Sequence, residues 1–320
     1  MHKTMIIDSH FHAYSGKDCS GFLRDLMEKA GLDAISIASI PKELVHDEHF
    51  YNEEALKLKK ENPGKVYAFG SLDYSDKGYL RGKVDFAGQA KRLFEAGADG
   101  IKMLEGKTNA RKALGIPLDS PIYDSFYSYM QENAFPILMH VADPEEFWDP
   151  VKAPDWAKKR GWFWGDGSFP SKEQLYSETE GILGKFPKLK ITFAHFFFLS
   201  ADIGRASRFL DKWKNVSFDI TPGWEMYDNF SRSSSDWSAF FKNYNERIIF
   251  GTDNAPPSKD NYAGQLERCI STISKIRDFL ETDKEMLSGK GISLDTASLK
   301  KICSGNFLKA IRSPYENHSG

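Results

Sequence analysis

Eight short apolar runs recur along the chain at nearly even spacing, and this repetition limits the possible folds more than any other feature. Each run is rich in Ile, Val, Leu or Phe, as expected for a strand that is buried on both faces. Most runs start about 26–36 residues apart, which fits one βαβ unit each. The predicted strands are Met5–His12, Asp33–Ile40, Lys65–Leu72, Gly100–Gly106, Pro136–Asp143, Lys190–His195, Val216–Thr221 and Ile248–Asp253.

Segments with helical periodicity lie between these runs. Each of them closes with Gly, Asn or Pro shortly before the next strand, which is the usual way in which a helix ends. The predicted helices are Gly21–Ala30, Asn52–Asn62, Val84–Ala96, Ile122–Asn133 and Lys172–Phe186.

The alternation predicts an α/β fold, a (β/α)₈ TIM barrel that forms a single domain over residues 1–320. An open doubly wound sheet has the same alternation. However, no G-x-G-x-x-G follows the first strand and no G-x-x-x-x-G-K-[ST] occurs anywhere, so the barrel is favoured. The polar segment 313–320 is expected to be a flexible tail.

The spacing between the fifth and sixth predicted strands is longer than the others, at about 54 residues. The excess lies in residues 144–170, which are rich in aromatic residues and Gly. An insertion after the C-terminal end of a barrel strand lies on the active-site face, so we expect an active-site loop here. Aromatic side chains in this insertion and after the seventh strand are candidates for a lid or pocket wall, namely Trp162, Trp164, Phe169 and Trp224.

Composition narrows the function classes. The net charge of −2 leaves no basic surface that would indicate binding to nucleic acid or to an anionic membrane. The three cysteines, Cys19, Cys269 and Cys303, are far apart, which argues against a disulfide framework. Neither a signal peptide nor a membrane-length apolar run is visible. We therefore expect a cytoplasmic enzyme that acts on a small molecule.

Ionisable residues stand at the ends of several predicted strands. The first strand ends with Asp8, His10 and His12, whose spacing of two directs all three side chains into the barrel. Two imidazoles at this spacing can converge on one metal ion. The fifth, sixth and eighth strands also end in ionisable residues, namely His140, His195 and Asp253.

These groups are expected to meet, because active sites of (β/α)₈ barrels are built at the C-terminal ends of the strands. Burying so many ionisable groups together without an ion would cost several kcal/mol for each uncompensated group. The pattern therefore predicts a site for a divalent metal ion.

The chain resembles the amidohydrolase superfamily, and most closely its branch of aminocarboxymuconate semialdehyde decarboxylase-like and related proteins. The resemblance spans essentially the whole chain and rests on an ordered series of His and Asp motifs. The matching segments are IIDSHFH, GADGIKMLEG, PILMHVAD, ITFAH, IIFGTDNAP and ICSGNFLKAI.

The resemblance implies that one divalent ion, Zn or Mn, is held by His10, His12, His140 and Asp253. It also implies that Asp253 accepts a proton from the metal-bound water. His195 would orient that water, polarise the substrate or donate a proton. Barrels of this family often form dimers, so a homodimer is a further expectation.

Lys102 on the fourth strand has two interpretations. In some relatives a carbamylated Lys bridges two ions, whereas here we favour one ion and an ion pair of Lys102 with Asp8 or Glu105. Many members have His-Pro after this Lys. In this chain Leu104-Glu105-Gly106 stands there, so the role of that His is not carried over.

Three functions fit these residues. The favoured one is hydrolysis of an amide, ester or lactone bond of a small carboxylated substrate by metal-activated water. Lys107 and Arg111 are candidates to bind the substrate carboxylate. The alternative is non-oxidative decarboxylation of an unsaturated or aromatic acid with the same ligands. A metal-binding barrel without catalysis is disfavoured because both His195 and Asp253 are present.

Overall fold

The computed structural model describes residues 4–13, 19–41, 44, 52–223, 225–257, 261–286 and 288–311. Eight parallel strands form one sheet in which every strand pairs with the next strand along the chain. This confirms the predicted (β/α)₈ barrel. The strands are β1 Ile7–Phe11, β2 Ala34–Ala38, β3 Val66–Gly70, β4 Gly100–Gly106, β5 Pro136–Val141, β6 Lys190–Phe193, β7 Val216–Asp219 and β8 Ile248–Ile249.

The first strand meets the segment after β8 and so closes the barrel. The backbone N–H of Ser9 donates to the carbonyl of Phe250 at 3.1 Å, and the N–H of His12 donates to the carbonyl of Asn254 at 2.8 Å. In the opposite direction, the N–H of Asp253 donates to the carbonyl of His10 at 2.7 Å. This closure fixes the end of β1 and the residues after β8 side by side at the C-terminal mouth.

Helices separate the strands and cover the outside of the barrel. The five predicted helices are present with ends shifted by a few residues, and the one expected over Ile122–Asn133 begins with a 3₁₀ turn. The helices are α1 Cys19–Ala30, α2 Asn52–Glu61, α3 Phe86–Glu95, α4 Thr108–Leu114, α5 Asp124–Glu132, α6 Asp155–Lys159, α7 Lys172–Lys185, α8 Ile203–Lys212, α9 Met226–Arg232, α10 Ser234–Asn243, α11 Tyr262–Glu281, α12 Thr296–Lys300 and α13 Asn306–Ile311. A short antiparallel pair, β9 Glu285–Met286 and β10 Gly289–Lys290, lies between α11 and α12.

The interior of the barrel is filled by side chains and is therefore not a pore. Phe307 of α13 packs with inward-facing residues of the strands, including Ile7, Phe69 and Leu138. Asn306 next to it donates to the carbonyl of Ile248 at 2.7 Å and so ties α13 to β8. This apolar plug leaves the polar residues at the opposite end of the barrel.

The insertion at residues 144–170 has structure of its own. It contains a 3₁₀ turn at Glu145–Trp148 and the short helix α6. Phe147, Ala157 and Trp164 form its small core. It follows β5 directly, so it lies at the C-terminal end of that strand, and its function as an active-site loop stays a prediction.

Two predictions concern residues outside the described ranges, namely the pocket wall at Trp224 and the tail at 313–320. Within the described ranges, no helix combines the length and the hydropathy that a membrane-spanning segment needs.

Candidate metal centre at the barrel mouth

His10, His12 and Asp253 converge where β1 meets the segment after β8. Nε2 of His12 lies 2.7 Å from Oδ1 of Asp253, and Nε2 of His10 lies 3.5 Å from the same oxygen. Within the described part of the chain, these three residues are the group whose ligand atoms all lie within 4.8 Å of one another. The structure therefore brings together three of the four predicted metal ligands.

The outer nitrogens of the two imidazoles are held by other groups. Nδ1 of His10 lies 2.9 Å from Oδ2 of Asp219, and Nδ1 of His12 lies 2.6 Å from the carbonyl of Ala38. Because these partners accept hydrogen bonds, each Nδ1 is the donor, and each Nε2 is the nitrogen on the side of Asp253. Such carboxylate and carbonyl partners are typical around metal-ligating histidines.

This donor set fits a divalent cation. Two imidazole Nε2 atoms and one carboxylate oxygen are ligand types that Zn and Mn take in proteins, and here they lie within 4.8 Å of one another. Burial, followed by the charge of Lys102, lowers the pKa of His10 to about 4. The imidazole is therefore kept in the neutral form that binds metals.

Asp219 is a functional candidate that the sequence analysis missed. Its carboxylate is fully buried at the end of β7, accepts from the backbone N–H of His195 at 2.8 Å and holds His10. Burial opposes ionisation, but the hydrogen bond to His10 and the charges of His10 and His195 outweigh it and lower the pKa of Asp219. The sequence did contain a signal for this residue, because Asp219 stands at the end of a strand, as His140 does.

Lys102 is buried inside the barrel, with Nζ 2.9 Å from Nε2 of His10. The expected ion pair with Asp8 or Glu105 is wrong. Asp8 accepts instead from Thr252 Oγ1 at 2.6 Å, and Glu105 accepts from Tyr74 Oη at 2.7 Å. Glu105 lies three residues from Lys102 on β4, where alternation points such residues to opposite faces. Asp8 precedes a register irregularity in β1 and is held by Thr252 after β8.

Burial lowers the pKa of Lys102 to about 8. A neutral amine is the form that carbon dioxide carbamylates, and a carbamate would present oxygen ligands in place of the ammonium contact with His10. The second ion that depends on this modification stays a prediction, as does the single-ion alternative.

Strands β6 and β8 end earlier than predicted, so His195 and Asp253 lie on left-handed backbone beyond them. The φ of Asp253 is 56°, and the residues from His195 to Phe198 have φ between 50° and 55°. A left-handed residue other than Gly costs roughly 1–2 kcal/mol. Aromatic packing compensates, because Phe196 contacts Phe218, Phe230 and Trp237 within ring distances of 4.9–5.4 Å.

His140 and His195 lie beside the three-residue cluster. Nε2 of His140 is 3.0 Å from the carbonyl of Ala142, and the rings of His140 and His195 are 4.8 Å apart. The ring of His195 lies 5.9 Å from that of His10. The cluster among the described residues does not include His140, so its role as fourth ligand stays a prediction. The same holds for the catalytic role of His195.

The candidate carboxylate-binding residues are both engaged in ion pairs. Nζ of Lys107 lies 2.5 Å from Oδ1 of Asp143. Arg111 donates through Nε and Nη2 to the two carboxylate oxygens of Glu178, at 2.9 and 3.0 Å. Neither cation is held ready for a ligand, and their contact with substrate stays a prediction.

The candidate lid residues differ in their surroundings. Trp162 is half-buried and its ring lies 4.7 Å from Nζ of Lys107. Trp164 is only 1% exposed, and its ring lies 4.6 Å from that of Phe169 inside the insertion. Trp162 is therefore the more exposed of the two rings, whereas Trp164 lies in the small core of the insertion. Contact of either ring with a substrate stays a prediction.

The eight-stranded barrel and the His-His-Asp cluster at its C-terminal mouth define the class as a TIM-barrel protein with a candidate metal centre. The sequence model of the Amidohydrolase family matches residues 7–309, nearly the whole chain. The chain belongs to the amidohydrolase family. A search of curated proteins found no match.

Several solved structures share the fold. An uncharacterized TIM-barrel protein from Bordetella bronchiseptica has 14% identity and a TM-score of 0.59, with 96% of this chain and 98% of that chain covered. The 5-carboxyvanillate decarboxylase of Sphingomonas paucimobilis has 11% identity and a TM-score of 0.55, with 97% and 100% covered. A putative 2-pyrone-4,6-dicarboxylic acid hydrolase from Pseudomonas putida has 14% identity and a TM-score of 0.53, with 97% and 98% covered.

Proposed function

We propose that this chain is a metal-dependent hydrolase that cleaves an amide, ester or lactone bond of a small molecule, with Zn or Mn as the ion. The observation that carries the proposal is the convergence of His10, His12 and Asp253, whose ligand atoms lie within 4.8 Å of one another. His140 is included as the fourth ligand from the sequence pattern. When bound, such an ion makes water more acidic and polarises a carbonyl group.

Each residue of the cluster has a part in this proposal. Asp219 and Ala38 hold the two imidazoles so that their Nε2 atoms face the mouth. The side chain of Asp253 is 39% exposed, whereas that of His10 is 1% exposed. Asp253 is therefore the ligand that water and substrate can reach, and it accepts a proton from water and returns it to the leaving group.

His195 acts on the substrate side of the same mouth. Its Nδ1 lies 3.3 Å from the carbonyl of Thr221, which orients the ring. Burial lowers the pKa of His195, so the neutral imidazole is favoured. In this form it donates to the carbonyl of Thr221 and accepts at Nε2, which suits a group that orients the attacking water.

A carboxylate on the substrate would have to displace Asp143 from Lys107 or Glu178 from Arg111. Displacing Glu178 would break a bidentate buried pair, so Lys107 is the better candidate of the two. This part of the proposal rests on the sequence pattern.

Elemental analysis and product analysis test the proposal together. We expect purified protein to carry Zn or Mn, a chelator to abolish turnover, and the same ion to restore it. The substrates to screen are small amides, esters and lactones, with benzoic acids included. Release of carbon dioxide without consumption of water would replace hydrolysis with decarboxylation, because the same ligands serve both reactions.

A further inference from the structure

A cavity of about 560 Å³ opens on the same face of the barrel as the metal centre. Its walls come from segments that follow β5, β6 and β7, including Glu145, Phe198 and Glu225. The ring of Phe198 lies 5.2 Å from that of His195 and 5.6 Å from that of His140. Phe198 therefore belongs both to the lining of the cavity and to the surroundings of His195 and His140.

The charge in this cavity is mainly negative. Glu145, Glu146 and Glu225 face one cation, Lys172, whose Nζ donates to the carbonyl of Phe198 at 3.1 Å. Asp149 and Lys152 also line the cavity, but they pair with each other at 3.7 Å. The excess carboxylates favour a cationic ligand.

Glu225 is the group in this cavity that most needs a partner. It is 8% exposed, and its Oε2 has no hydrogen-bond partner among the described residues. Gly223 allows this position, because a Cβ there would lie 3.1 Å from the same oxygen. Burial, together with the charge of Glu146, raises the pKa of Glu225 to about 7. A buried carboxylate oxygen without a donor is costly, and a ligand that brings an N–H donor removes this cost.

The ligand chemistry is that of an organic ammonium group and not of a second metal ion. Within the described residues, these carboxylates do not belong to a group of three or more ligands that lie within 4.8 Å of one another. The volume is also much larger than an ion needs. Trp148 and Phe198 are among the residues that line the cavity, and aromatic faces attract ammonium groups.

We propose that this cavity binds a primary ammonium group of the substrate, with Glu225 accepting a hydrogen bond from it. The assignment of the cavity as a substrate subsite rests on the proposed hydrolase function. An amine held there would place the rest of the molecule past Phe198 toward His195 and Asp253. The substrate class is then an amide, ester or lactone that carries a free amino group.

Calorimetric titration with three probes of similar shape tests this assignment. Benzylamine, benzyl alcohol and benzoate are each titrated into metal-loaded protein and into protein treated with chelator. We expect benzylamine to bind both forms, and the alcohol and the acid to bind at least about tenfold more weakly. Preference for benzoate would overturn the proposal, because Lys172 would then be the recognition group.

Two variants distinguish the effect of Glu225 on amine binding from the effect of the overall surface charge. Glu225→Gln keeps the shape of the side chain and is expected to weaken benzylamine binding at least about tenfold. Glu173→Gln is the matched control, because Glu173 is 70% exposed and pairs with Arg205 on the neighbouring surface. Equal effects of the two variants would contradict the role of Glu225.

A second variant and the two metal states keep the result interpretable. Ala201→Phe fills the exposed rim of the cavity without changing a charge, and we expect it to weaken benzylamine binding while the thermal midpoint stays unchanged. Amine binding without any turnover would leave the subsite in place and remove the hydrolase function. Hydrolysis with no preference for amines would remove the subsite alone.

Discussion

Two regions at the barrel mouth differ in whether their buried polar groups have hydrogen-bond partners. Where β1 meets the segment after β8, His10 and Asp219 are almost fully buried and hydrogen-bonded to each other. In the cavity between the segments after β5 and β7, Glu225 is buried with an oxygen that has no partner among the described residues. The first region holds its geometry before any ligand arrives. The second has an unmet acceptor that a ligand can satisfy.

The same contrast occurs in the layer between the sheet and the helices. Glu178 accepts from two nitrogens of Arg111 and from the backbone N–H of Leu118. Glu105 accepts from Tyr74, but its Oε2 has no partner among the described residues. These two glutamates are a matched pair of buried carboxylates, so their variants test the comparison through stability.

The substitution expected to have the largest effect on the candidate metal centre is Asp253→Ala. We expect turnover to fall by about 10²–10⁴-fold, because the variant loses a metal ligand and the proton acceptor together. Metal content, measured by elemental analysis after dialysis, should fall as well. Asp236→Ala is the control, because Asp236 is exposed on the outer helix α10. Unchanged metal content with full turnover would show that Asp253 is neither ligand nor base.

Breaking the paired glutamate should cost most in stability. Glu178→Ala leaves the guanidinium of Arg111 buried without its partner, so we expect the free energy of unfolding to fall by about 3–5 kcal/mol. The measurement is urea denaturation. Glu173→Ala, which breaks the exposed pair with Arg205, should cost less than about 1 kcal/mol. A similar loss for both variants would contradict the distinction between buried and exposed pairs.

The double variant Arg111→Met/Glu178→Leu tests whether Arg111 has a structural role or binds substrate. Replacing both charges by apolar groups should recover most of the lost stability. If the recovered protein also keeps its turnover, Arg111 belongs to the scaffold. Lost turnover in a stable double variant would support the predicted contact of Arg111 with a substrate carboxylate.

Asp219→Asn tests whether the first region holds its geometry in advance. The carboxylate that orients His10 is replaced by an amide, so we expect the affinity for Zn to fall by about 10–100-fold. Competition with a chelator of known affinity measures this change, and circular dichroism checks the fold. An unchanged affinity would mean that His10 is positioned by the barrel alone.

Much of the barrel could be predicted from sequence because each of its strands has a recognisable local sequence pattern. A strand buried on both faces is a short apolar run, and all eight runs are strands of one sheet. The ends of β6 and β8 were placed too late. His195 and Asp253 take left-handed backbone there, and packing of Phe196 against distant residues such as Phe230 stabilises such a turn.

The candidate metal centre could also be predicted in part. His10, His12 and Asp253 were found because strand ends of a barrel share one face. The partner of Lys102 could not be predicted. It depends on which face of β4 each residue occupies and on Tyr74, which binds Glu105 instead. The cavity around Glu225 depends on three separate loops, whose relative positions no local pattern contains.

The smallest expected effect comes from Glu105→Gln, and its size depends on pH. Burial raises the pKa of Glu105 from 4.5 to about 7, although the hydrogen bond from Tyr74 opposes this. A carboxyl whose folded pKa is raised contributes most to stability below about pH 4.5, and this contribution is lost as the pH rises through about 7. Gln is neutral throughout, but its amide group brings a donor that also lacks a partner, which cancels part of the gain.

At pH 8.5 we therefore expect the Gln variant to be more stable than the native chain by about 1 kcal/mol, and at pH 5 to have no advantage. Urea denaturation at the two pH values measures this difference. Glu178→Gln should be less stable than the native chain at both pH values, because Glu178 is paired with Arg111. Parallel behaviour of the two variants would mean that the unmet oxygen of Glu105 has a partner in solution, and the contrast between paired and unpaired carboxylates would then not hold in this layer.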